Sequence, residues 1–528
     1  MSDHSARPTP LDLSTLPDPV DVSDNREALR RVDDVVAQGP FSADWESLQG
    51  YRPPRWFHDA KLGIFLHWGV YSVPAYGSEW YPRNAYREGT PEFEHHVATY
   101  GPHREFGYKD FIPDFHMSGF DPDAWAELFR TAGAQFIVPV AEHHDGFAMY
   151  DSARTRWTAA RMGPRRDVYG DLAAATRRAG MVAGASTHRA EHWFFLNPGT
   201  RFDSDVLDPR VHDFYGPAQR EETAPNEAFL EDWLLRTVEI IDRYRPQVLW
   251  FDWWIEQPAF EPYRRRLAAY YYNRAAEWGV EVVIEYKWDA FAPGSAVHDI
   301  ERGAKARIQP EAWQNDTSVS RNSWSWHPNQ DYKELPELVA ELADVVAKNG
   351  VLLLNFCPKA DGTFDEREVE LARGLGRWLG AYGQAIYGTR PWIVAAEGPT
   401  RVVEGSFVEG PTAYTERDIR FTRRVDHQGE QLYAILLRRP ESGVARVRSW
   451  GSDLGLLTDE IAGVEVLGHP EPPRWRRTPD ALEVEIGPHH ADLPGVAIRI
   501  HLEPRTVQPR HDFIHEGTSA PAPAPDLA

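Results

Sequence analysis

Between Trp56 and Trp392 short runs alternate with longer amphipathic stretches; six of the eight runs are apolar, whereas the sixth (HDIE) and seventh (AWQN) are mixed and make the late units irregular. The runs cover residues 63–67, 135–140, 182–186, 248–252, 282–286, 298–301, 312–315 and 351–355. Apolar runs this short and continuous suit strands buried on both faces, as parallel strands are. The stretches between them carry helical periodicity, for example over 122–132, 169–179, 229–244, 262–278 and 335–348, and several stop before a glycine (Gly133, Gly180, Gly279, Gly350) as helices ending on a C′ glycine do. Eight strand–helix units predict an α/β fold, a (β/α)8-like barrel over residues 51–392. Beyond Trp392 the helical signal stops. Alternating runs at 419–424, 432–437, 444–449, 482–486 and 496–501 predict a C-terminal antiparallel β-sandwich over 393–515. Residues 1–50, rich in Pro, Asp and Ser, read as an N-terminal extension, partly ordered at best, with one short helix at 26–38; the Ala-Pro repeats of 516–528 read as a disordered tail.

A barrel of this kind builds its site from the C-terminal ends of its strands. Strand one ends on His67-Trp68, with Glu79-Trp80 on the loop that follows; strand two runs into Glu142-His143-His144-Asp145; strand three leads to Ser186-Thr187-His188. Strand four is Val248-Leu249-Trp250-Phe251-Asp252-Trp253, and a later segment gives His298-Asp299-Ile300-Glu301-Arg302. Carboxylates, histidines and tryptophans meeting in one mouth fit sugar chemistry: flat apolar faces for the ring, hydrogen bonds for the hydroxyls. Glycoside cleavage with retention needs two carboxyls, one nucleophile and one acid/base. Asp252, closing an otherwise apolar strand, is the candidate nucleophile, against the alternative that it caps the next helix or pairs with an arginine. Glu301 is the candidate acid/base, against a plain Glu301–Arg302 surface pair. Neighbouring strand residues face opposite ways, and neither an HExxH helix nor paired cysteines occur, so His143-His144 is not expected to hold a metal; no metal and no cofactor are expected.

A net charge of -23, from 57 basic and 80 acidic residues, argues against nucleic-acid and anionic-membrane partners. The single cysteine, Cys357, excludes an intrachain disulfide and reads as inert beside a buried strand. The N-terminus shows no secretory pattern and no run is long and apolar enough to span a bilayer, so a cytoplasmic protein is expected, with a homo-oligomer left open.

Together the blocks at 56–68, 78–81, 143–152, 166–167, 250–252 and 352–362 resemble the α-L-fucosidases of glycoside hydrolase family 29, with HWGVYSVPA and HHDGFAMYDS carrying most of the specificity. The resemblance covers about Trp56 to Trp392. It implies an exo-acting, retaining enzyme on a fucosylated glycan or other fucoside, without a metal. It assigns the nucleophile to Asp252 and the acid/base to Glu301. His67, Glu79, Trp80, His143, His144 and Trp250 fall on positions that hold fucose, and Trp324 on a pocket aromatic. Trp68 beside His67 is read as a further site aromatic. Three positions depart from the family pattern: Trp253 stands where a glycine is usual, His188 is expected to replace a tyrosine contact, and Trp313-Gln314 stands where many members have Trp-Glu. A hydrolase of a related sugar such as α-L-galactose, or a carbohydrate-binding protein that has lost catalysis, are the alternatives.

Overall fold

The structure, a computed structural model, describes residues 9–426 and 429–503. Eight parallel strands close a barrel in sequence order: β1 Leu62–Leu66, β2 Phe136–Glu142, β3 Val182–Thr187, β4 Val248–Phe251, β5 Val283–Tyr286, β6 Val297–Glu301, β7 Trp313–Ser318 and β8 Gly350–Phe356. β1 pairs with both β2 and β8, and that closes the ring. Each strand lies within a few residues of its expected place. The barrel is a packed core: Phe65, Val138, Trp250, Val283 and Leu353 fill it from different strands. Phe65 and Trp250 meet edge to face at 4.8 Å, forming a floor under the mouth.

Local chemistry sets the helices around the ring. Asp121 caps helix Pro122–Thr131 by accepting from the amides of Asp123 and Ala124, and Asn226 caps helix Glu227–Tyr244 through the amide of Phe229. Gly279 ends helix Glu261–Trp278 at φ 66°, a left-handed conformation that costs glycine nothing. Gly350 does not act this way. It is the first residue of β8, and Asn349, at φ 74°, makes the left-handed turn in its place.

The N-terminal segment is more ordered than its composition suggests. Helix Arg26–Gln38 forms, Val32 and Leu48 are buried, and Asn273 of the barrel's helix layer bonds both the amide and the carbonyl of Phe41 at 2.9 Å. Composition misses this because the apolar partners lie more than two hundred residues away, on helix Glu261–Trp278.

Two antiparallel sheets follow the barrel. With β9 Arg390–Glu397, β10 Ile419–Asp426, β11 Gly429–Leu436, β12 Val444–Val447, β13 Ile461–Val466, β14 Trp475–Arg477, β15 Leu482–Glu485 and β16 Val496–Leu502, the larger sheet has the order β13-β16-β11-β10-β9 and the smaller β12-β15-β14. β9, β13 and β14 were not anticipated, and the boundary expected at 392/393 falls inside β9. The expected tail at 516–528 lies outside the described residues. The sandwich is bolted to the barrel: Arg420 pairs with Asp344 at 2.6 Å with both side chains buried, and the Trp378 indole donates to the Pro494 carbonyl at 2.9 Å. No helix among the described residues is long and apolar enough to cross a membrane.

Candidate active site

The C-terminal ends of the barrel strands surround a cavity of about 460 Å³. His67 from β1, Glu79 and Trp80 from the loop after it, and His143 and His144 just beyond β2 line one side. Trp250, Asp252 and Trp253 from the end of β4, with Glu301 from β6 and Trp324 from the loop after β7, complete it. Ten of the twelve residues singled out in the sequence therefore share one chamber.

Two do not line it. Trp68, two residues past the end of β1, turns away from the cavity that His67 lines. Its ring packs on Phe115, Phe120 and Trp125 and its indole donates to the Lys359 carbonyl at 2.8 Å, so it belongs to the core between barrel and helices. His188 sits behind the wall. It is fully buried, with Nδ1 2.8 Å from Asp252 Oδ2 and Nε2 3.1 Å from Ser186 Oγ, so it orients Asp252 instead of meeting a sugar. Conversely, His143 and His144 both reach the cavity, their rings 4.1 Å apart. The alternation argument fails there because β2 ends at Glu142.

Lys287, one residue past β5, organises the centre. Its ammonium pairs with Glu301 in a close contact, lies 3.3 Å from Asp316 and 3.6 Å from Asp252, and sits 4.8 Å above the Trp250 ring. One buried cation thus bridges the two carboxyls expected to react. Among the described residues Asp252 makes no arginine pair; besides Lys287 it meets His188, His144 at 3.7 Å and the amide of Trp253 at 2.8 Å. Glu301 points to Lys287 and not to its neighbour Arg302, whose guanidinium covers the Trp324 ring at 4.6 Å. Lys287, Asp316 and Asn355 were missed in the sequence. Lys287 could have been found by applying the strand-end rule to β5. Asn355 lies at the end of β8; its carbonyl oxygen accepts from the His67 amide and faces His67 Nδ1 at 2.9 Å, while its amide nitrogen donates to the Trp324 carbonyl at 2.8 Å. It orients the His67 ring and holds the backbone that carries Trp324, leaving His67 Nε2 as an acceptor for a ligand hydroxyl.

These surroundings push the ionisable groups apart. Burial alone would raise the Asp252 carboxyl, but the Lys287 ammonium and the His188 contact outweigh it and hold it far below the usual carboxylate range. Burial pushes Glu301 up to about 7, against the pull of Lys287 and with the help of the Asp316 and Asp252 charges. Burial also holds His67 and His143 neutral, whereas His144, 3.5 Å from Glu191, is raised to about 9 because Glu191 and Asp252 outweigh its burial. Two carboxyls in one chamber, one held far below the usual range and one raised to about 7, are the pattern of a nucleophile and an acid. Gln314 lies below the chamber, donating to Glu285 at 2.9 Å and Asp299 at 3.0 Å. Position 314 does not line the cavity, so the missing glutamate there removes no cavity-lining carboxyl.

Ligand nitrogens and oxygens of two groups, His67–His143–His188 and His144–His188–Asp252, lie within 4.8 Å of one another, close enough for a metal ion. Both need His188, whose two nitrogens already face Asp252 and Ser186. The donors fit a catalytic ion poorly.

Residues 28–384 match the family model for α-L-fucosidase. The chain belongs to the α-L-fucosidase family. It is 29% identical to tissue α-L-fucosidase of Homo sapiens over 464 residues, 86% of this chain and 88% of that protein. The α-fucosidase of Thermotoga maritima in complex with fucose superposes with a TM-score of 0.69 at 28% identity, over 87% of this chain and 100% of that one. The same enzyme in complex with a mechanism-based inhibitor gives 0.69 at 27% identity, over 87% of this chain and 99% of that one. Among α-L-fucosidases, then, this chain keeps both the barrel and the sandwich, and it is a glycoside hydrolase by family.

Proposed function

We propose that this protein is an exo-acting, retaining α-L-fucosidase in which Asp252 is the nucleophile and Glu301 the acid/base. The single observation that carries the reading is the pair of carboxyls bridged by Lys287, one ionised and one raised to about 7, within a chamber that also holds His67, His143, Glu79 and Trp324. Both carboxyls contact the same ammonium, which places them on one side of the chamber together, as a route through a covalent glycosyl-enzyme requires.

In the first step Asp252 attacks the anomeric carbon. The bond to the aglycone oxygen breaks as the bond to the Asp252 oxygen forms, and Glu301 gives its proton to the departing oxygen. The anionic Glu301 then takes a proton from water, which attacks the same carbon, releases Asp252 and returns Glu301 to its acid form. His67, His143 and Glu79 are placed to hold the ring hydroxyls; Glu79 is itself fixed by the Trp324 amide at 3.0 Å. The apolar faces of Trp80, Trp250 and Trp324 suit the methyl group of a 6-deoxy sugar. Following an aryl α-L-fucoside by NMR tests this directly. The α-anomer of fucose is expected as first product; a first-formed β-anomer, or release of another sugar in preference, overturns it.

A further inference from the structure

We propose that Glu409, contributed by the β-sandwich half of the chain, is a positioning residue for the acid/base: it pins the loop between β9 and β10 to the barrel, and that loop holds Glu301 at the chamber. The inference rests on the retaining fucosidase reading above.

Glu301 closes β6 where pairing around the barrel is shortest. β5 pairs with β6 at Glu285–Val297 and Tyr286–His298 and ends at Tyr286. On the opposite side the Arg302 amide donates to the Asp316 carbonyl of β7 at 2.8 Å. The Glu301 carbonyl belongs to the same trans peptide, so it points the other way, to an edge that β5 has already left. The β9–β10 loop fills that edge. The Phe407 amide donates to the Glu301 carbonyl at 2.9 Å and the Glu409 amide to the Arg302 carbonyl at 3.1 Å, while Ala304 and Gly405 exchange both backbone bonds at 3.1 Å. The approach is so close that a Cβ on Gly303 would lie 2.1 Å from the Gly405 carbonyl oxygen. Phe407 thereby reaches the chamber and lines it. Arg302, next to the acid/base, sits at φ 43°, a left-handed backbone that a non-glycine residue keeps only where its surroundings hold it.

Two ties decide how firmly the loop does this. At its neck the buried Asp418 carboxylate accepts from the amides of Thr400 at 3.0 Å and Thr415 at 2.7 Å. That tie lies within the sandwich and fixes the two ends of the loop. At the tip the tie is Glu409. Its carboxylate pairs closely with the buried Lys333, accepts from Thr317 Oγ1 at 2.8 Å and lies 3.4 Å from Arg302 Nη1. Thr317 is on β7, so one carboxylate fastens the loop to the strand beside β6. Val403 and Phe407 are exposed, so apolar burial holds the tip only weakly and the charge-assisted bonds carry it. Without Glu409 the neck stays closed and Lys333 keeps Glu341 at 3.1 Å, so the fold survives while the tip, and with it the backbone of Glu301, is released.

The test is kcat/KM for phenyl α-L-fucoside and for α-L-fucosyl fluoride. Phenoxide needs a proton as it leaves and fluoride ion does not, so the ratio of the two isolates the acid step. In Glu409→Ala the phenyl fucoside is expected to lose about a hundredfold, the cost of a catalytic group misplaced by about 1 Å. The fluoride is expected to lose less than about threefold. Glu409→Gln keeps an acceptor for Thr317 and Lys333 and is expected to bring the phenyl rate back to within about fivefold of native. Trp378→Phe loosens the sandwich elsewhere, at the Pro494 carbonyl, and is expected to lower the unfolding midpoint with the ratio unchanged. The ratio does not depend on how much of a variant is folded. Both substrates falling together in Glu409→Ala, neither falling, or the same split in Trp378→Phe overturns the inference alone. Native protein that hydrolyses neither substrate overturns the fucosidase reading beneath it.

Discussion

Replacing Lys287 by methionine keeps most of the side-chain volume and removes the charge that joins the two reacting carboxyls. At 3.6 Å from Asp252, and in an effective dielectric of about 20, that ammonium contributes about 4–5 kcal/mol to the ionised carboxylate. At about 1.4 kcal/mol per pH unit, the ceiling on the upward shift of Asp252 is about three units. Glu301, in closer contact, loses a comparable term. The sign is the same for both groups, because a cation favours the charged carboxylate and its loss raises each pKa. Asp252 works ionised, so its limb of the kcat/KM profile, far below the carboxylate range in the native protein, moves up into the measurable acidic range. Glu301 works protonated, so the basic limb, expected near 7 in the native protein, also moves up. The whole bell therefore migrates to higher pH, which simple damage to the site does not produce. The assay is kcat/KM against pH for native protein and Lys287→Met, with denaturant unfolding alongside, where a loss of about 3–5 kcal/mol from stranding buried charge is expected. Two limbs left in place while only the height of the profile falls would refute the electrostatic argument.

Asp252→Gly is expected to lower turnover by about 10⁴-fold with the unfolding midpoint nearly unchanged, and added azide to restore consumption of fucosyl fluoride by forming the β-fucosyl azide; undiminished turnover removes Asp252 from its role. Trp68→Ala is expected to cost about 3–5 kcal/mol of stability, because it empties a packed aromatic site, while Trp324→Ala raises KM with a much smaller loss; the reverse pattern in unfolding and kinetics contradicts the placement of the two rings.

The site was legible wherever one short stretch of chain carried both the strand and the reacting group. Asp252 stands out because a carboxylate ends an apolar strand, and His67 because a polar residue follows a run that is otherwise core. Trp68 misled because it shares that stretch; the aromatic neighbours that draw it into the core, Phe120 and Trp125, lie about fifty residues further along the chain. His188 misled for a related reason. Its position past β3 was right, but the carboxylate that engages it lies 64 residues away. Phe407 had no signal at all, since it sits in the sandwich half of the chain, in a loop between strands of which only β10 was anticipated.

By itself, then, the order of residues determined the eight-fold alternation, the antiparallel half that follows, and the set of strand-end groups available for chemistry. These depend on periodicity and on local cost, which neighbours along the chain express. Only the closed barrel decided that Lys287 would hold Asp252, Glu301 and Asp316 around one charge, and only the docked sandwich decided that Phe407 would reach the mouth. Electrostatics and packing act through space, and these partners come from separate strands and separate domains.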